Sequence, residues 1–327
     1  MAVTGPTGEI GRSVVAALER AKEVGRILGM ARRPFDPESE GWKKTAYRRG
    51  DILDRRRVAA LVEEADVVVH LAFMIMGSLQ QTRRVNLDGS RYVFEAAAAA
   101  KVKRLVYTSS VAAYGFEPGR RIPLTEDQPA LGSDVFYYSK QKAEVEQLLA
   151  DTLYRSPTKA WVLRPCIVAG PRAPLLIDSL PFAGGSSGIV GRAGAALGAI
   201  PGVHPVLPDP GTPFQLVHHD DVATAIRAAV LGRGKPGPYN IAGPGELSVS
   251  TLARELGWYS VPVPELAVDA VGEIVTRLGF LPSKAQWLTA FSEPVVMDTA
   301  RARRELRWRP KHDALETLRE TIAAARA

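Results

Sequence analysis

Three runs of consecutive apolar residues constrain this chain more than any other feature. They centre on Val67-Val68-Val69, Leu105-Val106-Tyr107 and Trp161-Val162-Leu163. A strand with one wet face alternates apolar and polar residues, whereas an unbroken apolar run is buried on both faces. Reading the flanks predicts strands over Asp66–Ala72, Arg104–Ser109 and Ala160–Arg164. Shorter strands are expected at Met1–Thr4 and Arg26–Ala31. Helical patterns fall between them at Arg12–Ala21, Asp54–Glu64 with Asp54 as N-cap, Asn86–Ala100 and Tyr138–Leu153. Strands buried on both faces and alternating with helices predict an α/β fold, a doubly wound parallel sheet.

The pattern changes after Arg164. Residues 171–213 are rich in Pro and Gly, including Gly184-Gly185-Ser186-Ser187-Gly188, and suit a ligand-facing loop region. Helices are expected from Asp220 or Asp221 to Leu231, at Val249–Leu256, Pro264–Leu278 and Thr299–Leu306, with a strand at Tyr239–Ala242. A length of 327 residues suits two domains. The expected division is a cofactor domain over 1–170 plus about 211–243. The rest, about 171–210 plus 244–327, is expected to form a smaller mixed α/β substrate lobe.

Composition excludes several classes. The apolar fraction is 46% and the charged fraction 24%, ordinary for a globular protein. One cysteine, Cys166, excludes an internal disulfide and a multi-cysteine metal site, so no metal is expected. The formal charge is +7, and 31 of the 42 basic residues are Arg. They are scattered in pairs and triples such as Arg55-Arg56-Arg57, which argues against nucleic acid or a membrane surface as partner. The apolar stretch Ala65–Met76 is too short to cross a bilayer, and Met1–Gly5 shows no secretory signal. A cytoplasmic protein acting on a small molecule is the expectation, with only three residues ahead of Thr4 in the first strand.

Two motifs carry chemistry. Gly5-Pro6-Thr7-Gly8-Glu9-Ile10-Gly11 lies between the first strand and the first helix. Its glycines permit a tight turn and close approach to a pyrophosphate, which the helix N-terminus then holds. About 20 residues on, the acid that binds a ribose 2′-hydroxyl in such sites is missing, and Ala31-Arg32-Arg33 stands there. Arg32 and Arg33 suit a 2′-phosphate, so the expected cofactor is NADP, with NAD as the alternative. The second motif is Tyr138-Ser139-Lys140-Gln141-Lys142. On a helix Tyr138 and Lys142 share a face, and a cation beside the phenol should move its pKa from about 10 toward about 7. Tyr138 then exchanges a proton with a substrate hydroxyl or carbonyl. A hydroxyl from Ser109 or Ser110, at the C-terminal end of a strand, can hold the reacting oxygen.

These residues together resemble the extended short-chain dehydrogenase/reductase family, also called the NAD-dependent epimerase/dehydratase family, with its Rossmann fold. The resemblance runs from Thr4 to about Pro310. It includes Asp51-Ile52, His70-Leu71-Ala72, Asn86-x-x-Gly89, Ser109-Ser110, Tyr114-Gly115, Leu163-Arg164-Pro165, Gly170-Pro171 and His218-His219-Asp220-Asp221-Val222. Tyr239-Asn240 and Arg304-Glu305-Leu306-Arg307-Trp308-Arg309-Pro310 complete it. The resemblance implies Tyr138 as acid/base, Lys142 as the residue holding the nicotinamide ribose, and Ser110 as the catalytic hydroxyl. It implies cofactor contacts for Gly5, Thr7, Gly8, Glu9, Ile10, Gly11, Arg32, Arg33, Asp51, Ile52, Leu71, Ala72, Asn86 and Pro165, besides Tyr138 and Lys142. It also implies a homodimer through the helices near Leu87–Ala100 and Tyr138–Leu153.

Two departures from the family's sugar-nucleotide enzymes narrow the reaction. Val111-Ala112 follows Ser110 where its dehydratases carry an acidic pair, and Ile167 occupies the position where its epimerases carry Asn. The first reading is therefore an NADP-dependent oxidoreductase acting on a secondary alcohol or ketone. A nucleotide-sugar epimerase that recycles its cofactor is the alternative. A catalytically idle NADP-binding regulator is less favoured, because Ser110, Tyr138 and Lys142 are all present.

Overall fold

The computed structural model describes residues 1–117, 119–178, 205–263 and 293–327. The first six strands are β1 (Ala2–Thr4), β2 (Ile27–Ala31), β3 (Thr45–Arg49), β4 (Val67–His70), β5 (Arg104–Thr108) and β6 (Lys159–Pro165). They are followed by β7 (Ile167–Ala169), β8 (Val206–Asp209), β9 (Leu216–His218), β10 (Gly237–Ile241) and β11 (Tyr259–Pro262). A seven-stranded sheet has the order β10-β6-β5-β4-β1-β2-β3, with every pair parallel. The chain reverses its direction of winding between β1 and β4, and a ligand crevice opens at such a switch point. This is the doubly wound Rossmann architecture that the apolar runs predict.

Alternate residues of each run enter different cores. Val69, Val106 and Leu163 pack in one cluster with Val14, Leu18, Val222 and Ile226. Val68, Leu105 and Tyr107 pack on the other face with Val93, Phe94, Val145 and Leu149. The helices that cover the sheet are α1 (Glu9–Glu19), α2 (Arg55–Glu63), α3 (Leu79–Arg83), α4 (Ser90–Ala99) and α5 (Tyr137–Leu153). A π turn over Arg84–Gly89 joins α3 to α4. Further along lie α6 (Leu175–Asp178), α7 (His219–Val230), α8 (Val249–Leu256), α9 (Ala300–Glu305) and α10 (Ala314–Arg326).

Several elements differ from the sequence expectation. The α1 helix starts at Glu9 rather than Arg12, one residue after its Gly8 N-cap. Strand β3 is unexpected because Thr-Ala-Tyr-Arg-Arg is polar; it pairs only with β2, at a sheet edge where one flank faces water. The short strands β7, β8, β9 and β11 form two separate two-stranded sheets, β7 with β9 and β8 with β11. Their neighbourhood holds a small core of Leu176, Leu207, Phe214, Leu216, Leu252 and Leu318. The C-terminal helix α10, capped by Asp313, was not expected either. The Gly184–Gly188 loop and the Pro264–Leu278 helix lie outside the described residues. Among the described residues no helix is long and apolar enough to cross a membrane.

Candidate active site

The glycine turn is shaped by close approach. Gly5 has φ 73°, and a Cβ there would stand 2.8 Å from the Ala72 nitrogen. A Cβ on Gly11 would meet the Gly5 carbonyl oxygen at 2.2 Å, so α1 can dock on the turn only with glycine there. Gly8 differs: its Cβ would find only the Gly5 oxygen, at 3.6 Å. Gly8 is also the N-cap and supplies no side-chain acceptor to the first turn of α1. Backbone donors and open space therefore coincide at a helix N-terminus, a donor set suited to a diphosphate. Gly5, Gly8, Glu9, Ile10 and Gly11 all line one cleft of about 410 Å³.

Ser110, Tyr138 and Lys142 line the same cleft. Ser110 follows β5 and caps the short 3-10 turn Val111–Tyr114, its Oγ accepting from the Ala112 N–H at 3.2 Å. Tyr138 stands at the start of α5 and its phenol is hydrogen-bonded to Ser110. Lys142, one turn on, donates from Nζ to the Thr108 carbonyl at 3.0 Å. Its ammonium lies 3.7 Å from the Phe73 ring centroid and 5.8 Å from that of Tyr138. Asn86, in the π turn, locks this corner: Oδ1 accepts from the Met74 N–H at 2.7 Å, and Nδ2 donates to the Met74 carbonyl and Gln141 Oε1. Tyr137 OH donates to the Ile75 carbonyl at 2.7 Å, away from the reacting group.

The electrostatics correct one expectation. Tyr138 is not lowered toward neutrality; burial pushes its pKa up to about 12, opposed by the Ser110 hydrogen bond. Lys142 moves the other way, its pKa brought down to about 7 by burial and held up by Glu146. Desolvation penalises both phenolate and ammonium, and it outweighs any field that Lys142 exerts across 5.8 Å. Glu146 is itself committed: it forms a bidentate pair with Arg164 at 3.0 and 2.6 Å and accepts from Ser109 Oγ at 2.5 Å. Ser109 is thus tied into a structural network, while Ser110 faces Tyr138.

Ten of the sequence-derived site residues line the cleft: the five glycine-loop residues, Leu71, Ser110, Tyr138, Lys142 and Pro165. Seven lie outside its lining. Thr7 is half-buried, and Ala72 meets Gly5 through its backbone. Asn86 works from behind, as above. Asp51 accepts from the Leu53 N–H at 3.0 Å, and Ile52 is buried against Gly89, where a Cβ would meet Ile52 Cδ1 at 2.5 Å. Arg32 and Arg33 are exposed, and their guanidinium groups pair with no carboxylate among the described residues. Their backbone is held by the Arg49 side chain, which donates to the Arg32 carbonyl, and by Tyr47 OH, which donates to that of Arg33. His70 is a packing residue between Thr4 and Ser90, its pKa lowered by burial to about 3. Trp308 donates to the Asp221 carbonyl at 2.9 Å and is likewise structural. The sequence reading missed Phe73, Phe116, Phe214 and Gln215 as lining residues. Only Phe73 had a signal, two residues beyond the Leu71 at a strand end.

Comparison with known proteins agrees with this fold. The profile of the "NAD dependent epimerase/dehydratase family" matches residues 1–242. The chain belongs to that family. Among curated relatives of this family member is the Mycobacterium tuberculosis uncharacterized protein Rv0501, 26% identical over 323 residues, covering 96% of this chain and 81% of the relative. Cinnamoyl-CoA reductase 1 of Arabidopsis thaliana is 31% identical over 183 residues, covering 52% of each chain. Of solved structures, gox2253 aligns with TM-score 0.74 at 23% identity, over 99% of this chain and 97% of that one. The Bacillus cereus UDP-glucuronic acid 4-epimerase in complex with NAD aligns with TM-score 0.73 at 18% identity, over 99% and 98%. The two structural likenesses show that the fold is shared.

Proposed function

We propose that this family member is an NADP(H)-dependent oxidoreductase that interconverts a ketone and a secondary alcohol. The observation that carries this reading is the shared cleft: the glycine turn, whose Gly8 N-cap offers no side-chain acceptor, and the Ser110–Tyr138–Lys142 group line the same cleft. The glycine turn would hold the cofactor's diphosphate, Arg32 and Arg33 would hold its 2′-phosphate, and Lys142 would hold the nicotinamide ribose. When bound, the nicotinamide supplies or accepts the hydride. Ser110 Oγ orients the substrate oxygen, and Tyr138 OH gives it a proton. With its pKa near 12, Tyr138 is a protonated acid at neutral pH, which suits the direction of ketone reduction.

The test is NADPH consumption with a panel of ketones and UDP-sugars. Stoichiometric oxidation with a ketone supports the proposal. Conversion of a UDP-sugar with no net NADPH loss would replace it with the epimerase reading. Tyr138→Phe should lower kcat by at least about 100-fold, in the range of a lost general acid, while NADPH still binds. Turnover unchanged in that variant would sink the assignment of Tyr138.

A further inference from the structure

Among the described residues, the lining beyond the glycine turn and the Tyr138 group is largely apolar. Phe73, Phe116, Ile167, Leu176, Phe214 and Val295 belong to it. Among the described lining residues the only charged side chains are Glu9, in the glycine turn, and Lys142. A substrate bearing phosphates would bring anionic oxygens into this chamber, where no Arg or second Lys of the described lining meets them.

Away from the glycine turn and the Thr108–Ser110 strand end, one polar side chain interrupts the apolar wall. Gln215, just ahead of β9, is 9% exposed and reaches the cleft. Its Oε1 accepts from the Met297 N–H at 2.8 Å, which fixes the orientation of the amide. Nε2 then donates to no acceptor among the described residues. Nε2 is not among the fully buried unpartnered atoms, so it opens to the cleft, and filling the chamber with hydrocarbon alone would strip it of water and leave it stranded.

We propose that the substrate is an uncharged, apolar ketone carrying a second oxygen acceptor, an ether or carbonyl, that binds Gln215 Nε2. This deepens the oxidoreductase reading and rests on it for the reacting carbonyl; the Gln215 contact itself is tested separately by binding. Gln215 is a specificity-determining residue, and it acts on affinity rather than on the proton transfer at Tyr138.

The experiment uses aryl ketones in matched pairs, a methoxy group replaced by ethyl at successive ring positions. Two readouts are taken: kcat/KM from NADPH oxidation, and Kd on the Tyr138→Phe protein with NADPH present. At one ring position the methoxy ketone should be favoured about tenfold, through KM and Kd with kcat little changed. Gln215→Glu keeps the oxygen that accepts from Met297 and removes the donor; Gln215→Leu removes both. Each should bring the methoxy/ethyl ratio to about one. A ratio near one at every position in the wild type, or one unaltered in both variants, overturns the proposal. So does tighter binding of UDP-glucose than of any ketone. A methoxy preference in Kd with no ketone turned over would retain the Gln215 contact and defeat only the oxidoreductase reading.

Discussion

Lys142 is buried, with its Nζ hydrogen-bonded to a carbonyl oxygen and set over an aromatic face, and it forms no ion pair among the described residues. Its pKa near 7 means that, between about pH 7 and the unfolded value of about 10.4, the folded chain binds fewer protons than the unfolded one. Stability contributed at this position therefore falls as pH drops toward 7 and is level below it. Lys142→Met should raise the unfolding free energy by about 1–4 kcal/mol at pH 7, with the gain shrinking toward pH 10, while abolishing turnover. Urea titrations at several pH values check this. The glycines separate two roles in the same way. Gly11→Ala drives a Cβ onto the Gly5 carbonyl and should cost about 1–3 kcal/mol of stability. Gly8→Ala meets nothing closer than 3.6 Å, so it should fold normally and weaken NADPH binding, measured by fluorescence.

At the scale of elements, the N-terminus of α7 carries a stack of three imidazoles. His218 lies 4.1 Å from His219 and 3.9 Å from His312, ring centre to ring centre. His218 Nδ1 accepts from the Asp220 N–H and so caps the helix, which requires that nitrogen to be unprotonated. Burial, then His219 and His312, lower the His218 pKa, while Asp220 and Glu320 oppose them. A histidine lowered on folding contributes stability above its unfolded pKa of about 6.5 and loses it as the pH falls below that value. His70, also lowered, has the same sign. The melting temperature should therefore decline from pH 7 to pH 5. His218→Asn, which can cap without titrating, should flatten part of that decline. An equal slope in both proteins would refute the role given to this stack. Little of this stack was legible beforehand. His218-His219 was visible as a motif, but His312 joins it only because Asp221 draws the 311–312 backbone and the His312 ring inward.

At the scale of the molecule, β10 returns to the central sheet beside β6, while the chain between them contributes β7, β8 and β9 to the smaller sheets. The cleft lies where these parts meet, lined by residues as far apart as Gly5 and Val295. The proposed cofactor preference rests on Arg32 and Arg33, which follow β2 and lie outside that lining. Arg32→Ala with Arg33→Ala should weaken NADPH by about tenfold or more and leave NADH nearly unchanged, as expected for lost charge-assisted contacts to a 2′-phosphate. Equal losses for both cofactors would refute the NADP assignment. The proposed assembly is a homodimer through α4 and α5, which light scattering at micromolar concentration checks; a monomer would refute it.

The sequence by itself determined what depends on neighbours along the chain. Unbroken apolar runs dictated a sheet covered on both faces. The glycine spacing dictated a tight turn before a helix, and a four-residue interval brought Tyr138 and Lys142 to one face. Tertiary structure decided what depends on contacts between distant segments. Phe73 came to lie against Lys142, burial set the two pKa values in opposite directions, and Met297 oriented Gln215. Backbone periodicity is a short-range property and can be read from residue order. Desolvation is set by all the atoms that surround a group, and those atoms are assembled only when the chain folds.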